Sequence, residues 1–310
     1  MSDKSIAFTH QVADVSDVRD FWRLLKPNVM SLVVFSAGVG LYLAPGTIHP
    51  LLAIIAILCV AVAAGASAAI NNSYDADIDR IMVRTQKRPT ASGKIDPADA
   101  LAYGITLAVI SIMVMGLAVN WLAASLLALT IAFYIIVYTM WLKRRTPQNI
   151  VIGGAAGALP PMIGWAAVTG EITAMPVVLF AIIFFWTPPH FWALALFRSK
   201  DYANVGVPML PVTAGEVVTR RHILAYTLIL LPISWLPLAV GQSGWIYGGL
   251  ATILGVGFLL HAFQLWRDGT YRSATKTFRF SIFYLFGVLS ALVIDDLLIK
   301  LGPLIVERLG

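Results

Sequence analysis

Apolar residues come in nine long runs separated by short polar breaks, and this alternation dominates the chain. The runs fall at 28–46, 51–71, 101–118, 122–142, 149–168, 174–197, 223–241, 245–265 and 280–300. Each is near the roughly 20 residues a helix needs to cross a bilayer core. Links such as Ala44-Pro45-Gly46 and Gly241-Gln242-Ser243-Gly244 predict helical hairpins. The least marked division lies within 101–142, where only Val119-Asn120-Trp121 separates the two halves. The pattern predicts an all-α polytopic membrane protein. Its single transmembrane domain, 27–310, follows a polar tail, 1–26.

Composition sharpens this reading. Apolar residues make up 59% of the chain and charged residues 12%, with a mean hydropathy of +0.81. Soluble domains carry about 25% charged residues, so the surface of this chain is too poor in charge to face water throughout. The single cysteine, Cys59, excludes a disulfide framework, a thiolate zinc site and an iron–sulfur cluster. The tail shows no apolar core with a cleavage site, which argues against a signal peptide, and its Asp3, Asp14, Asp17 and Asp20 argue against an acid-poor transit peptide.

The net charge of +6 is distributed in a way that points to a membrane and not to nucleic acid. Twenty of the 22 Lys and Arg lie in the tail or in loops 72–100, 143–148, 198–222 and 266–279. Alternate loops contain none. Positive loops stay cytoplasmic, which predicts an inside N-terminus, an outside C-terminus and an odd number of spans. A ring of helices whose polar ends converge on the cytosolic mouth of a central cavity would gather these groups into one site.

One stretch organises that site. The second run ends in Asn71-Asn72-Ser73-Tyr74-Asp75-Ala76-Asp77-Ile78-Asp79-Arg80 and continues through Arg84-Thr85-Gln86-Lys87-Arg88-Pro89. Asn71, Asp75 and Asp79 recur every four residues, so a continuing helix stacks them on one face. Three hard oxygen donors suit Mg²⁺, which usually shares its shell with water and substrate phosphates. Arg84, Lys87 and Arg88 supply charges for such a phosphate. The plainer alternative is a solvated helix end whose acids pair with Arg80 and Arg84, with these bases, like Lys143, Arg144, Arg145 and Lys26, serving as ordinary positive-inside residues. Asp77 points away from the stripe.

A second polar stretch reads Trp186-Thr187-Pro188-Pro189-His190-Phe191-Trp192, and ends in Arg198-Ser199-Lys200-Asp201-Tyr202. The two prolines predict a broken or kinked sixth span. If helix resumes, His190, Leu194, Phe197 and Asp201 share a face. His190 reads either as a substrate contact or as a hydrogen-bonded packing residue, and Asp201 as a further metal or water ligand. Tyr74, Tyr134 and Tyr138 near the mouth are candidates to shield a carbocation. Asp295 and Asp296 read as an interfacial cap.

These motifs resemble the UbiA superfamily of intramembrane prenyltransferases. The first signature, Asn-Asp-x-x-Asp-x-x-x-Asp, stands here from Asn71 to Asp79, with Asn72 where Asp is usual. Arg84-Thr85-Gln86-Lys87-Arg88-Pro89 matches Arg-Thr-x-x-Arg-Pro, and Tyr138-Thr139-Met140-Trp141-Leu142-Lys143-Arg144 matches Tyr-Thr-x-x-Leu-Lys-Arg. Segments 186–192 and 201–211 resemble the haem-farnesylating branch. Most members carry a second Asp-rich motif, of which only Asp201 remains here.

The resemblance implies a transferase of the bacterial inner membrane that moves a farnesyl group from farnesyl diphosphate to a vinyl group of haem B, giving haem O. Mg²⁺ would sit on Asn71, Asp75, Asp79 and Asp201, with Asp75 and Asp79 catalytic. Lys26, Arg84, Arg88, Lys143 and Arg144 would hold the diphosphate. His190 would ligate or orient haem, and Arg198 or Lys200 would pair with its propionates. The implied partners are the lipid bilayer and, in association, a haem A synthase or terminal oxidase. Two alternatives are prenylation of an aromatic acid or quinone precursor on the same scaffold, and a secondary transporter. Transporters place charge near the midplane, whereas these charges cluster at one mouth.

Overall fold

The computed structural model describes residues 16–309, with side chains as far as Leu301. Asp3 and Asp14 of the tail lie outside the described residues. Everything regular among the described residues is helical. Among the described residues eight helices are long and apolar enough to cross a membrane: Pro50–Tyr74, Pro97–Val119, Trp121–Leu142, Asn149–Thr169, Ala174–Phe197, Gly215–Ala239, Trp245–Asp268 and Tyr271–Leu301. They correspond to spans 2 to 9. Span 1, Pro27–Leu43, reaches crossing length together with Val18–Leu24, from which it bends by 52°.

Consecutive spans pack against one another all the way round, and span 9 closes on span 1. Span 1 also packs closely on span 5, and span 6 on span 9, so helices fill much of the ring's interior. The approach of spans 1 and 5 depends on glycine. A Cβ on Gly40 would lie 2.0 Å from the Pro161 carbonyl oxygen, and one on Gly164 would lie 2.0 Å from that of Ala37. Small residues let membrane helices touch backbone to backbone, where apolar side chains gain little over lipid. Between spans 1, 2, 4 and 5 remains an apolar gap of about 30 Å³, bordered by Val33, Ser67, Thr130 and Ile163.

Several boundaries differ from the sequence expectation. Spans 7 and 9 begin at Gly215 and Tyr271, well before 223 and 280, because their first turns continue as helix beyond the apolar run. The prolines do not divide span 6: Ala174–Phe197 is one helix with both Pro188 and Pro189 buried inside it. Neighbouring helices commonly compensate intramembrane prolines. The helix stops instead at Arg198, and Asp201 belongs to a separate short helix, Ser199–Asn204. Asp201 therefore does not continue the face of His190. The tight turn between spans 3 and 4 is real: extended Asn120 accepts from the Ala123 amide (2.8 Å) and donates to the Ala166 carbonyl (2.8 Å).

Candidate active site

The C-terminal end of span 2 keeps its helical register where the acids begin. The Asp75 amide donates to the Asn71 carbonyl (3.0 Å), and the Asp79 amide to that of Asp75 (2.9 Å). Asn71, Asp75 and Asp79 thus stack one turn apart, with the Asn71 amide 2.7 Å from Asp75 Oδ2. They are not a solvated helix end. Asp75 is wholly buried and Asp79 retains 2% of its surface. Burying a carboxylate is costly unless it is paired and hydrogen-bonded.

Both acids are paired, and their partners arrive from distant segments. Lys143 Nζ bonds Asp75 Oδ2, and Arg144 Nη2 lies 3.4 Å from Asp75 Oδ1. Arg88 Nη1 lies 2.6 Å from Asp79 Oδ2. Arg144 also clasps exposed Asp77 through two bonds of 2.7 Å, and its guanidinium lies over the Tyr74 ring at 5.1 Å. That clasp holds the Asp77 carboxyl below its usual range and raises Arg144. Lys26 Nζ reaches Asn71 Oδ1 at 3.3 Å. Lys26 is the one non-glycine residue with positive φ among the described residues (φ 51°). Such a conformation costs of order 1–3 kcal/mol and persists where surroundings over-determine it. Burial, and next the charge of Arg88, pushes the Lys26 ammonium well below its ordinary value. Four cations thus face three carboxylates, and the crowded positive side calls for an anion.

Other candidates are spread more widely. Arg84 is exposed and acts on Tyr202, whose phenol is raised chiefly by burial. Arg198, Lys200 and Asp201 line a polar recess of about 150 Å³ with Tyr271, and Asp201 Oδ2 is buried there without a hydrogen-bond partner. No three acids, histidines or cysteines among the described residues converge as a ready-made metal site, so Asp201 does not join Asp75 and Asp79. His190 is buried, held by Ser281 and stacked on Trp186 and Phe278. Asp295 accepts from the amides of Gly244 and Tyr247, capping span 8 from span 9.

Some contributors are invisible to a simple helical reading. Thr139 Oγ1 accepts from the Asn71 amide at 3.3 Å. It sits in Phe133–Leu142, which is wound as a π-helix, with Lys143 N bonding the carbonyl five residues back on Tyr138. Such bulges gather at functional sites. The wider turn brings the Tyr134 and Tyr138 rings to 5.4 Å. Asn72 is buried and turned away from the acids, donating to the Leu24 carbonyl at 3.2 Å. The described part of the tail thereby anchors the site from behind.

Comparison with known proteins places this arrangement. Residues 32–287 match the UbiA prenyltransferase family. The chain belongs to that family. Among UbiA relatives is the protoheme IX farnesyltransferase of Parvibaculum lavamentivorans, 55% identical over a 307-residue alignment that covers 96% of this chain and 96% of that one. The protoheme IX farnesyltransferase of Rhizobium leguminosarum bv. trifolii is 59% identical over 286 residues, covering 91% and 90%. Solved structures of the UbiA fold also superpose. A digeranylgeranylglyceryl phosphate synthase matches with TM-score 0.75 at 19% identity, over 89% of this chain and 97% of that one. A UbiA homologue of Archaeoglobus fulgidus bound to GPP and Mg²⁺ matches with TM-score 0.66 at 18% identity, over 88% and 99%. The chain is therefore a multi-pass membrane prenyltransferase.

Proposed function

We propose that this prenyltransferase transfers a farnesyl group from farnesyl diphosphate to a vinyl group of haem B, giving haem O. The observation that carries the reading is the identity of 55–59% with protoheme IX farnesyltransferases over nine-tenths or more of the chain. The membrane is the bacterial inner membrane, with the acid-bearing end of the bundle facing the cytosol.

The buried oxygens of Asn71, Asp75 and Asp79 fit a hard divalent ion that completes its shell with water and phosphate. Bound Mg²⁺ supplies charge neutralisation for the diphosphate oxygens. Lys143, Arg144, Arg88 and Lys26, now turned on the acids and Asn71, would hold the same oxygens, with Arg84 at the rim. Preorganised cations stabilise the charge that develops as the allylic C–O bond breaks. A haem vinyl carbon attacks the allylic cation. A water oxygen then adds to the resulting porphyrin-stabilised cation and loses a proton to solvent, leaving a hydroxyethylfarnesyl side chain.

The apolar gap starts one turn from Asn71, at Ser67, and gives the isoprenoid its direction between spans 2 and 4. It is smaller than a farnesyl chain, so these spans part on binding. The paired rings of Tyr134 and Tyr138, on the same span as Thr130 of that gap, would offer faces that favour a cation. On the haem side, His190 serves as ligand, and Arg198 or Lys200 pairs with a propionate in the 150 Å³ recess. Association with a haem A synthase or terminal oxidase follows from the product's use.

The test is direct. Membranes carrying the protein, incubated with haem B, farnesyl diphosphate and Mg²⁺, yield haem O by mass; a chelator removes the activity and Mg²⁺ restores it. Conversion of an added hydroxybenzoate in place of haem B would overturn the acceptor assignment.

A further inference from the structure

Ser281 of span 9 stands at the centre of a small hydrogen-bonded cage around His190 of span 6. Its Oγ lies 2.6 Å from the Phe278 carbonyl oxygen and 2.7 Å from His190 Nδ1. Its own carbonyl accepts from Trp186 Nε1 at 2.7 Å. The imidazole is sandwiched between the Trp186 ring at 4.3 Å and the Phe278 ring at 4.7 Å, so it cannot readily turn over.

Counting protons decides the tautomer. A serine hydroxyl has one proton to donate, and a carbonyl oxygen has none. The contact with Phe278 therefore takes the Ser281 proton. His190 Nδ1 must then carry a proton of its own and donate it to Ser281 Oγ, since otherwise two lone pairs would face each other. In a neutral imidazole that leaves Nε2 bare, and among the described residues nothing hydrogen-bonds it.

A bare Nε2 can take a metal or a proton. No carboxylate contacts His190 among the described residues, and both flanking rings are apolar on their faces. An imidazolium there would be a buried unpaired charge. A neutral ligand costs nothing of that kind. Fixing a ligand's tautomer through a hydrogen bond on its other nitrogen is the usual task of an outer-shell residue.

We propose that Ser281 is a positioning residue that locks His190 as the Nδ1–H tautomer and so presents Nε2 to the iron of the haem substrate. The step forms one Fe–N bond from the Nε2 lone pair, with no proton or electron transferred. The inference rests on the haem-farnesylating reading above.

Two measurements test it on the full-length protein in detergent or nanodiscs. Histidine-labelled ¹⁵N spectra of the haem-free wild type, assigned with His190→Ala, show a protonated Nδ1 and a bare Nε2; a protonated Nε2 overturns the proposal. Titration with ferric haem B, without farnesyl diphosphate, gives a histidine-ligated absorption and EPR signature. His190→Ala abolishes that signature, and Ser281→Ala loses it with haem affinity weakened about 10- to 100-fold. Ser281→Thr, which keeps the hydroxyl, restores it. An unchanged spectrum and affinity in Ser281→Ala, or a wild-type signature surviving His190→Ala, sinks the assignment. The underlying reading fails separately: haem O made without a histidine signature removes only the proposal, while a histidine signature without haem O removes the reading.

Discussion

The acid cluster at the end of span 2 and the histidine cage between spans 6 and 9 are both polar sites in an apolar bundle. They meet the penalty of burial in opposite ways. Asp75 and Asp79 are matched by the cationic side chains of Lys143, Arg144 and Arg88, brought from segments up to 69 residues away. His190 has no charged partner among its contacts and relies on one hydroxyl and two ring faces. On the proposed reading the first arrangement is replaceable: its cations would leave the carboxylates for a phosphate once an ion takes their place. The second is fixed, because moving the imidazole would break stacking and hydrogen bonds together. On that reading one site exchanges partners and the other holds an orientation.

The largest effect expected from this contrast is at Asp75. Asp75→Ala removes a buried carboxylate and lowers kcat for haem O formation by about 10²- to 10³-fold or more. Haem binding in the cage stays as in wild type, and loss of both together would show that the two regions are not independent. Next comes Arg88→Ala. A charge-assisted hydrogen bond contributes about 1.5–3 kcal/mol, so farnesyl diphosphate binding weakens roughly 10- to 150-fold by isothermal titration, with haem affinity unchanged.

On the cage side, Trp186→Phe keeps the ring face but removes the donor to the Ser281 carbonyl. A neutral hydrogen bond is worth about 1 kcal/mol, and haem affinity drops about 5-fold. A loss as large as that of Arg88→Ala would erase the distinction drawn between the regions.

The smallest effect is at Asp77, whose side chain is 62% exposed. Arg144 depresses its carboxyl, so the pairing is complete above the free carboxylate value of about 3.9 and is lost only as pH falls through the lowered one. Asp77→Asn therefore leaves turnover near wild type and shifts the thermal midpoint in detergent by the same small amount at every pH around neutrality. A shift that grows as pH rises through neutrality would mean that the carboxyl titrates there and that Arg144 does not hold it.

Much of this was legible in the residues alone. Apolar run length fixes the number of spans, because a bilayer core accepts only a narrow range of helix lengths. The four-residue recurrence of Asn71, Asp75 and Asp79 gives their common face, because a helix repeats every 3.6 residues. The basic motifs after them are equally local. Three matters were decided elsewhere. Span 6 passes unbroken through Pro188 and Pro189, because neighbours on both sides bury that turn. The π-wound Phe133–Leu142 carries Thr139 and Lys143 to the acids, a register that a 3.6-residue repeat does not anticipate. Ser281, 91 residues from His190, has no signature of its own. Its role exists only because span 9 packs on span 6, and a hydroxyl acquires a function from what stands across from it.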